Sequence, residues 1–81
     1  MNVRVRLYAA ARQAAGHDHL DVELPEGATI GDLRSTMVQR LPEIAELIAR
    51  VMFAVDAEYA ADTAEIPPNA DVACIPPVSG G

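Results

Sequence analysis

Apolar residues in this chain recur at two different periods, and the order of those periods restricts the fold more than any other feature. Val3, Val5 and Leu7 alternate with Arg4, Arg6 and Tyr8, as in a strand with one buried face. Ala9 to Gly16, AAARQAAG, is rich in good helix formers and ends on the glycine expected just past a helix C-terminus. Leu20, Val22 and Leu24 then alternate with His19, Asp21 and Glu23 until Pro25 stops the ladder. After the turn at Glu26-Gly27-Ala28, Ile30, Leu33, Met37, Val38 and Leu41 fall on one face of a helix. Thr29 and Asp32 are spaced as a capping box at its start. Pro42 opens a second helical segment carrying Ile44, Leu47, Ile48 and Val51.

Met52–Val55 reads as a third strand, followed by a turn at Asp56, Ala57 and Glu58. Residues 59–70 read as irregular, broken at Pro67-Pro68-Asn69, and Asp71–Ile75 as the last strand. The order strand, helix, strand, helix, strand, strand predicts an α+β fold, a mixed sheet packed on one face by helices. Residues 1–75 form the single domain and residues 76–81 a C-terminal tail.

Composition narrows the function classes. Fifteen alanines bury little area each, so the core rests on Val, Ile, Leu and Met with Phe53. One cysteine, Cys74, excludes an internal disulfide and fits a reducing, cytoplasmic setting. The longest apolar run near the N-terminus, Leu7 to Ala11, is too short for a signal peptide, and nothing approaches a membrane span. A net charge of −6 argues against a nucleic-acid partner. Residues 1–17 hold three arginines and no acid, whereas residues 51–81 hold five acids and no base. That polarity would steer the C-terminal part toward a basic protein groove. All six basic residues are arginine, so lysine-linked chains of this protein cannot form.

No Ser/His/Asp set, phosphate-cradling loop or metal-ligand spacing is present, so the chain reads as non-catalytic alone and with no bound cofactor. His17 and His19 lack a third ligand in pattern and read as solvated surface. Arg4, Arg6 and Arg12 read as an exposed strand face or as contacts to a partner or a cyclic phosphate. Cys74 shares a strand face with Val72 and reads as packing rather than as a sulfur relay.

What remains is the end, Pro76-Pro77-Val78-Ser79-Gly80-Gly81. The prolines favour an extended polyproline path away from the last strand. Six residues reach roughly 20 Å at about 3.3 Å each. Gly80 and Gly81 keep the tip as thin as a peptide can be, Val78 offers one apolar anchor, and the terminal carboxylate is the candidate working group.

The layout and this tail resemble the ubiquitin-like sulfur carriers that form the small subunits of molybdopterin synthase. The likeness runs over the first strand, Gly27-Ala28-Thr29-Ile30-Gly31-Asp32-Leu33, the Val55 strand, and Val72 to Gly81. It implies a β-grasp fold with a flexible tail. It also implies a cycle. Gly81 is adenylated by an ATP-using enzyme related to ubiquitin-activating enzymes, and a sulfurtransferase supplies sulfur to make a thiocarboxylate. Pro76 to Gly81 then enter the large synthase subunit, with Ile75 on the partner surface, in an expected heterotetramer. There sulfur passes to cyclic pyranopterin monophosphate, producing the dithiolene of molybdopterin in molybdenum cofactor biosynthesis. Three positions depart from the family pattern. Asp56 stands for the common asparagine, Asn69-Ala70-Asp71 for Gly-Asp-Glu, and Cys74-Ile75 for a bulkier pair.

Two alternatives stay open. One is a carrier for cysteine or thiamine synthesis, although thiamine carriers are usually shorter and lack the double proline. The other is a ubiquitin-like modifier joined to other proteins through Gly81. An adaptor with an inert tail is the bland remainder.

Overall fold

Alternation in β1 (Asn2–Leu7) places Val3, Val5 and Leu7 in the interior and leaves Asn2, Arg4 and Arg6 outside. The computed structural model describes residues 1–77. Helix α1 (Ala9–Ala15) follows and closes on Gly16 at φ 77°, whose N–H donates to Arg12 O at 3.0 Å. This left-handed cap needs a residue without a Cβ penalty. β2 (His19–Glu23) returns antiparallel to β1, with Val22 facing Val3.

Helix α2 (Ile30–Arg40) begins at the expected capping box. Asp32 N–H donates to Thr29 Oγ1 at 3.2 Å, and Thr29 N–H donates to Asp32 Oδ2 at 2.9 Å. Its Ile30, Leu33 and Met37 are buried. The helix stops at Arg40, because Leu41 precedes proline and leaves the helical region at φ −126°, ψ 62°. Leu41 is accordingly only half-buried, not the last member of the stripe. A 3₁₀ turn (Pro42–Ile44) and helix α3 (Ala45–Arg50) complete the connection, with Ile48 fully buried.

β3 (Met52–Val55) and β4 (Glu58–Ala60) form a hairpin, and β5 (Val72–Ile75) pairs with both β1 and β3. The sheet order is β2-β1-β5-β3-β4, parallel between β1 and β5 and antiparallel elsewhere. Ala11, Ile30, Leu33, Met37 and Ile48 of the helices share one core with Val5, Val22, Phe53, Val72 and Cys74 of the strands. The mixed sheet with helices packed on one face is the β-grasp expected. Among the described residues no helix is long and apolar enough to cross a membrane.

One sequence expectation is corrected. Residues 59–70 are not irregular throughout, since Glu58–Ala60 form an edge strand whose Tyr59 faces Ala54. Three residues are too few to show a period. The rest of that stretch is ordered by α2. Ile30 N–H donates to Ala64 O at 2.9 Å, Gly31 N–H to Asp62 O at 2.8 Å, and Ile66 N–H to Ala28 O at 2.9 Å. The loop thus satisfies the first, otherwise unpaired donors of the helix, and Ile66 enters the core. A Cβ at Gly31 would approach Asp62 O to 3.2 Å, which is why the loop lies this close only over glycine.

Candidate functional site

β5 is the middle strand of the sheet, and the tail is its continuation. Pro76 has no N–H to extend the ladder, so pairing ends at Ile75 opposite Met52. Pro76 is buried and Pro77 exposed, so the path of the chain is anchored by packing one residue beyond the last strand. Val78, Ser79, Gly80 and Gly81 lie outside the described residues.

Strand alternation sends Ile75 to the helix-free face of the sheet together with Ala73. The register aligns His19, Arg6, Ala73, Ala54 and Tyr59 across all five strands on that face. Among the described residues, the exposed large apolar side chains all belong to it: Tyr59 at 68%, Met52 at 52% and Tyr8 at 40%. Such a concentration beside a chain end marks an interaction surface, because scattered apolar exposure is ordinary and contiguous exposure is not. Ala54 and Ala73 are the floor of a groove of about 380 Å³, walled by Arg6, Tyr8, Tyr59 and Ile75 and ended by Ala57 and Asp71.

Charge on this face is internally paired. Arg6 donates to both carboxylate oxygens of Asp71, Nε at 2.9 Å and Nη2 at 2.7 Å, and its guanidinium lies 5.6 Å from the Tyr8 ring centroid. Arg4 Nε donates to Asp21 Oδ1 at 3.1 Å, and that hydrogen bond lowers the Asp21 pKa and raises that of Arg4. Asp18 is lowered mainly by its hydrogen bond with His19 Nδ1, 2.8 Å away. Arg4 and Arg6 therefore form the exposed strand face read from the sequence, while Arg12 borders a polar hollow with Gln13, His17 and Asp18 beside α1. That hollow includes no residue of β5.

Cys74 points the other way. It is fully buried in the core under the helices, opposite Phe53. Burial pushes its thiol up to about 11, with the Arg34 charge opposing weakly. A neutral, enclosed thiol on the far face is a packing group and not a nucleophile.

Asp56 and Asp71, two of the positions that depart from the family pattern, are bonded to each other. Asp56 N–H donates to Asp71 O at 2.8 Å, and Asp71 N–H donates to Asp56 Oδ1 at 2.9 Å. Asp56 sits at φ 50°, a conformation that aspartate tolerates as asparagine does. The pair ties the β3–β4 turn to the start of β5. Sequence reasoning found Ile75 but missed Met52, Ala54, Tyr59 and Ala73. The Met52/Ala54 alternation was a weak signal for the first two, and none existed for the register that gathers all four.

The ThiS family profile matches residues 5–81. The molybdopterin synthase sulfur carrier subunit of Arabidopsis thaliana is 32% identical over 81 residues, covering 100% of this chain and 84% of that protein. The structure of a putative molybdopterin converting factor, subunit 1, from Pyrococcus furiosus superposes with a TM-score of 0.83 at 32% identity. It covers 96% of this chain and 99% of its own. One chain of the complex of subunits 1 and 2 of the molybdopterin-converting factor from Helicobacter pylori shares the fold at a TM-score of 0.69 and 17% identity, over 100% of this chain and 100% of that one. The chain belongs to the ThiS family, and over its full length it is similar to the sulfur carrier subunits of molybdopterin synthase.

Proposed function

We propose that this chain is the sulfur carrier subunit of molybdopterin synthase, with the Gly81 carboxylate as its reacting group. The observation that carries the reading is full-length similarity to such subunits in a chain whose middle strand runs straight into Pro76-Pro77-Val78-Ser79-Gly80-Gly81. A carboxylate is a poor electrophile, so an ATP-using partner first converts it to an acyl adenylate with release of pyrophosphate. The persulfide of a sulfurtransferase displaces AMP to give an acyl disulfide, and a second thiol reduces that disulfide, leaving a terminal thiocarboxylate and a disulfide. Free hydrosulfide displacing AMP gives the same thiocarboxylate directly. This ion is a strong nucleophile at neutral pH and donates its sulfur to cyclic pyranopterin monophosphate. Hydrolysis of the acyl link returns the carboxylate for another round. The partner enzymes supply the catalysis, and the domain supplies grip and direction.

The partner that receives the tail is the large synthase subunit, as the complex of the two Helicobacter pylori subunits suggests by its fold. The helix-free face, with Met52, Tyr59, Tyr8 and Ile75, is the surface that would cover it. A reducing cytoplasm suits both a thiocarboxylate and a single free thiol.

The test is intact mass after incubation with ATP, an adenylating partner and a sulfide source. A gain of about 16 Da, sulfur for oxygen, is expected for the wild type and none for a chain lacking Gly81. Stable adducts through Gly81 to other proteins, with no sulfur product, would replace this reading by the modifier alternative.

A further inference from the structure

An acyl group activated at Gly81 is open to attack by any amine or thiol that reaches it, including those of the chain that carries it. In this chain each such group is missing or shut away. There is no lysine, and all six basic residues are arginine, whose delocalised guanidinium stays protonated and is no nucleophile. The one thiol, Cys74, lies only two residues before Pro76, yet it is fully buried under the helices. Burial pushes it up to about 11, so its reactive thiolate is scarce at neutral pH.

The remaining amine is that of Met1. It donates to Leu24 O at 2.6 Å and lies 3.9 Å from Glu23 Oε2, and the Met1 side chain is 11% exposed. Attack needs the nitrogen lone pair turned toward the acyl carbon, which breaks this arrangement. Topology adds distance. β1 and β5 run parallel, Leu7 pairs with Cys74, and Tyr8 N–H donates to Cys74 O at 3.3 Å. The tail therefore starts level with Tyr8. Met1 lies at the other end of β1, about 23 Å back at about 3.3 Å per residue. Pro76 is buried, and the five residues beyond it span at most about 17 Å.

We infer, resting on the reading of Gly81 as the activated group, that this protein is an acyl donor that cannot accept its own acyl group. The suppressed step is ordinary aminolysis. In it the amine nitrogen bonds to the Gly81 carbonyl carbon, the bond from that carbon to AMP or to a thiol breaks, and the amine's proton passes to solvent. With no lysine, a tethered Met1 amine out of the tail's reach and an enclosed thiol, the activated end neither cyclises nor joins one copy to another. It persists until an external nucleophile meets it, whether sulfur or an amine of another protein.

The test uses the full chain with a small-thiol thioester installed at Gly81 by intein cleavage, which needs no adenylating partner. Incubated at pH 8 and weighed intact, the wild type is expected to give only the hydrolysed chain. With glycinamide added it is expected to give the external amide, which shows that the acyl group is reactive. Arg12→Lys places an exposed amine on α1, about one helical turn past Tyr8 and within the span of the tail. A tethered amine acts at an effective concentration on the order of mM. This variant is therefore expected to form at least about ten times more cyclic product than the wild type, one water lighter than the hydrolysed chain. A short Gly/Ser extension ahead of Met1, which releases the amine from Leu24 and lengthens its reach, is expected to do the same. Cyclic or head-to-tail product from the wild type at the rate of the extended chain overturns the inference. So does Arg12→Lys giving no more cyclic product than the wild type. Failure of the carrier reading looks different: no sulfur is gained in the mass assay above, while the thioester chain stays inert toward itself.

Discussion

Arg34 joins three parts of the molecule, and its removal is expected to cost more than that of any other charged side chain. From α2 its Nη1 donates to Ile48 O at 2.7 Å and Val51 O at 2.9 Å, carbonyls at the end of α3 that no later helical turn can satisfy. Its Nε and Nη2 reach the two Asp62 carboxylate oxygens at 3.2 and 2.9 Å, and its guanidinium lies 5.1 Å from the Phe53 ring centroid. The Arg34 side chain is 20% exposed and that of Asp62 55%. The ion pair therefore contributes in the surface range, about 0.2–1 kcal/mol. The two carbonyl bonds share one nitrogen and together contribute about 1–2 kcal/mol, with about 0.5–1 kcal/mol from the ring contact. Arg34→Ala should thus destabilise by about 2–4 kcal/mol, and Asp62→Ala by less than about 1 kcal/mol.

Urea unfolding followed by circular dichroism measures both. With a slope of about 1 kcal/mol per molar for so small a domain, the midpoints should fall by about 2–4 M and by less than about 1 M. Arg34→Lys should fall between wild type and Arg34→Ala, because an ammonium keeps the charge but loses the fork that spans both partners. Were Asp62→Ala to cost as much as Arg34→Ala, the surface pair would be the main contribution and the helix-end assignment would be refuted.

Two further outcomes follow from local chemistry. Thr29→Ala removes half of the capping box and should lower stability by about 1 kcal/mol in the same assay, with Thr29→Ser close to wild type. Cys74 should resist alkylation at pH 8 in the folded protein and react promptly in urea. Its folded pKa of about 11 lies above the ordinary thiol value, so the stability it contributes is complete below about pH 8.5 and is lost as pH rises through 11. Fast labelling of the native state would place the thiol at the surface.

Much of the fold was readable because its signals are local. The box at Thr29 and Asp32 spans three residues, and both of its hydrogen bonds form as the spacing implies. The same holds for Gly16 after α1 and for the alternation of β1 and β2. β4 escaped because three residues carry no period and its only apolar marker, Tyr59, points to solvent. Arg34 gave no sign of its role, since its partners lie 14 to 28 residues away. The groove on the bare face was equally hidden, because alanines at 54 and 73 resemble any others until the register sets them side by side.

The sequence by itself determined the periods, caps and breakers, hence the order of the elements other than β4 and the end of the last strand before Pro76, because these depend on backbone sterics and neighbours within a few residues. Only the tertiary structure decided which strand lies at the centre, which face stays bare, and what the tail emerges beside. Those follow from pairings such as Leu7 with Cys74 and Met52 with Ile75, between residues far apart in the chain. Such pairings form only where the burial of one common core favours them over every other register.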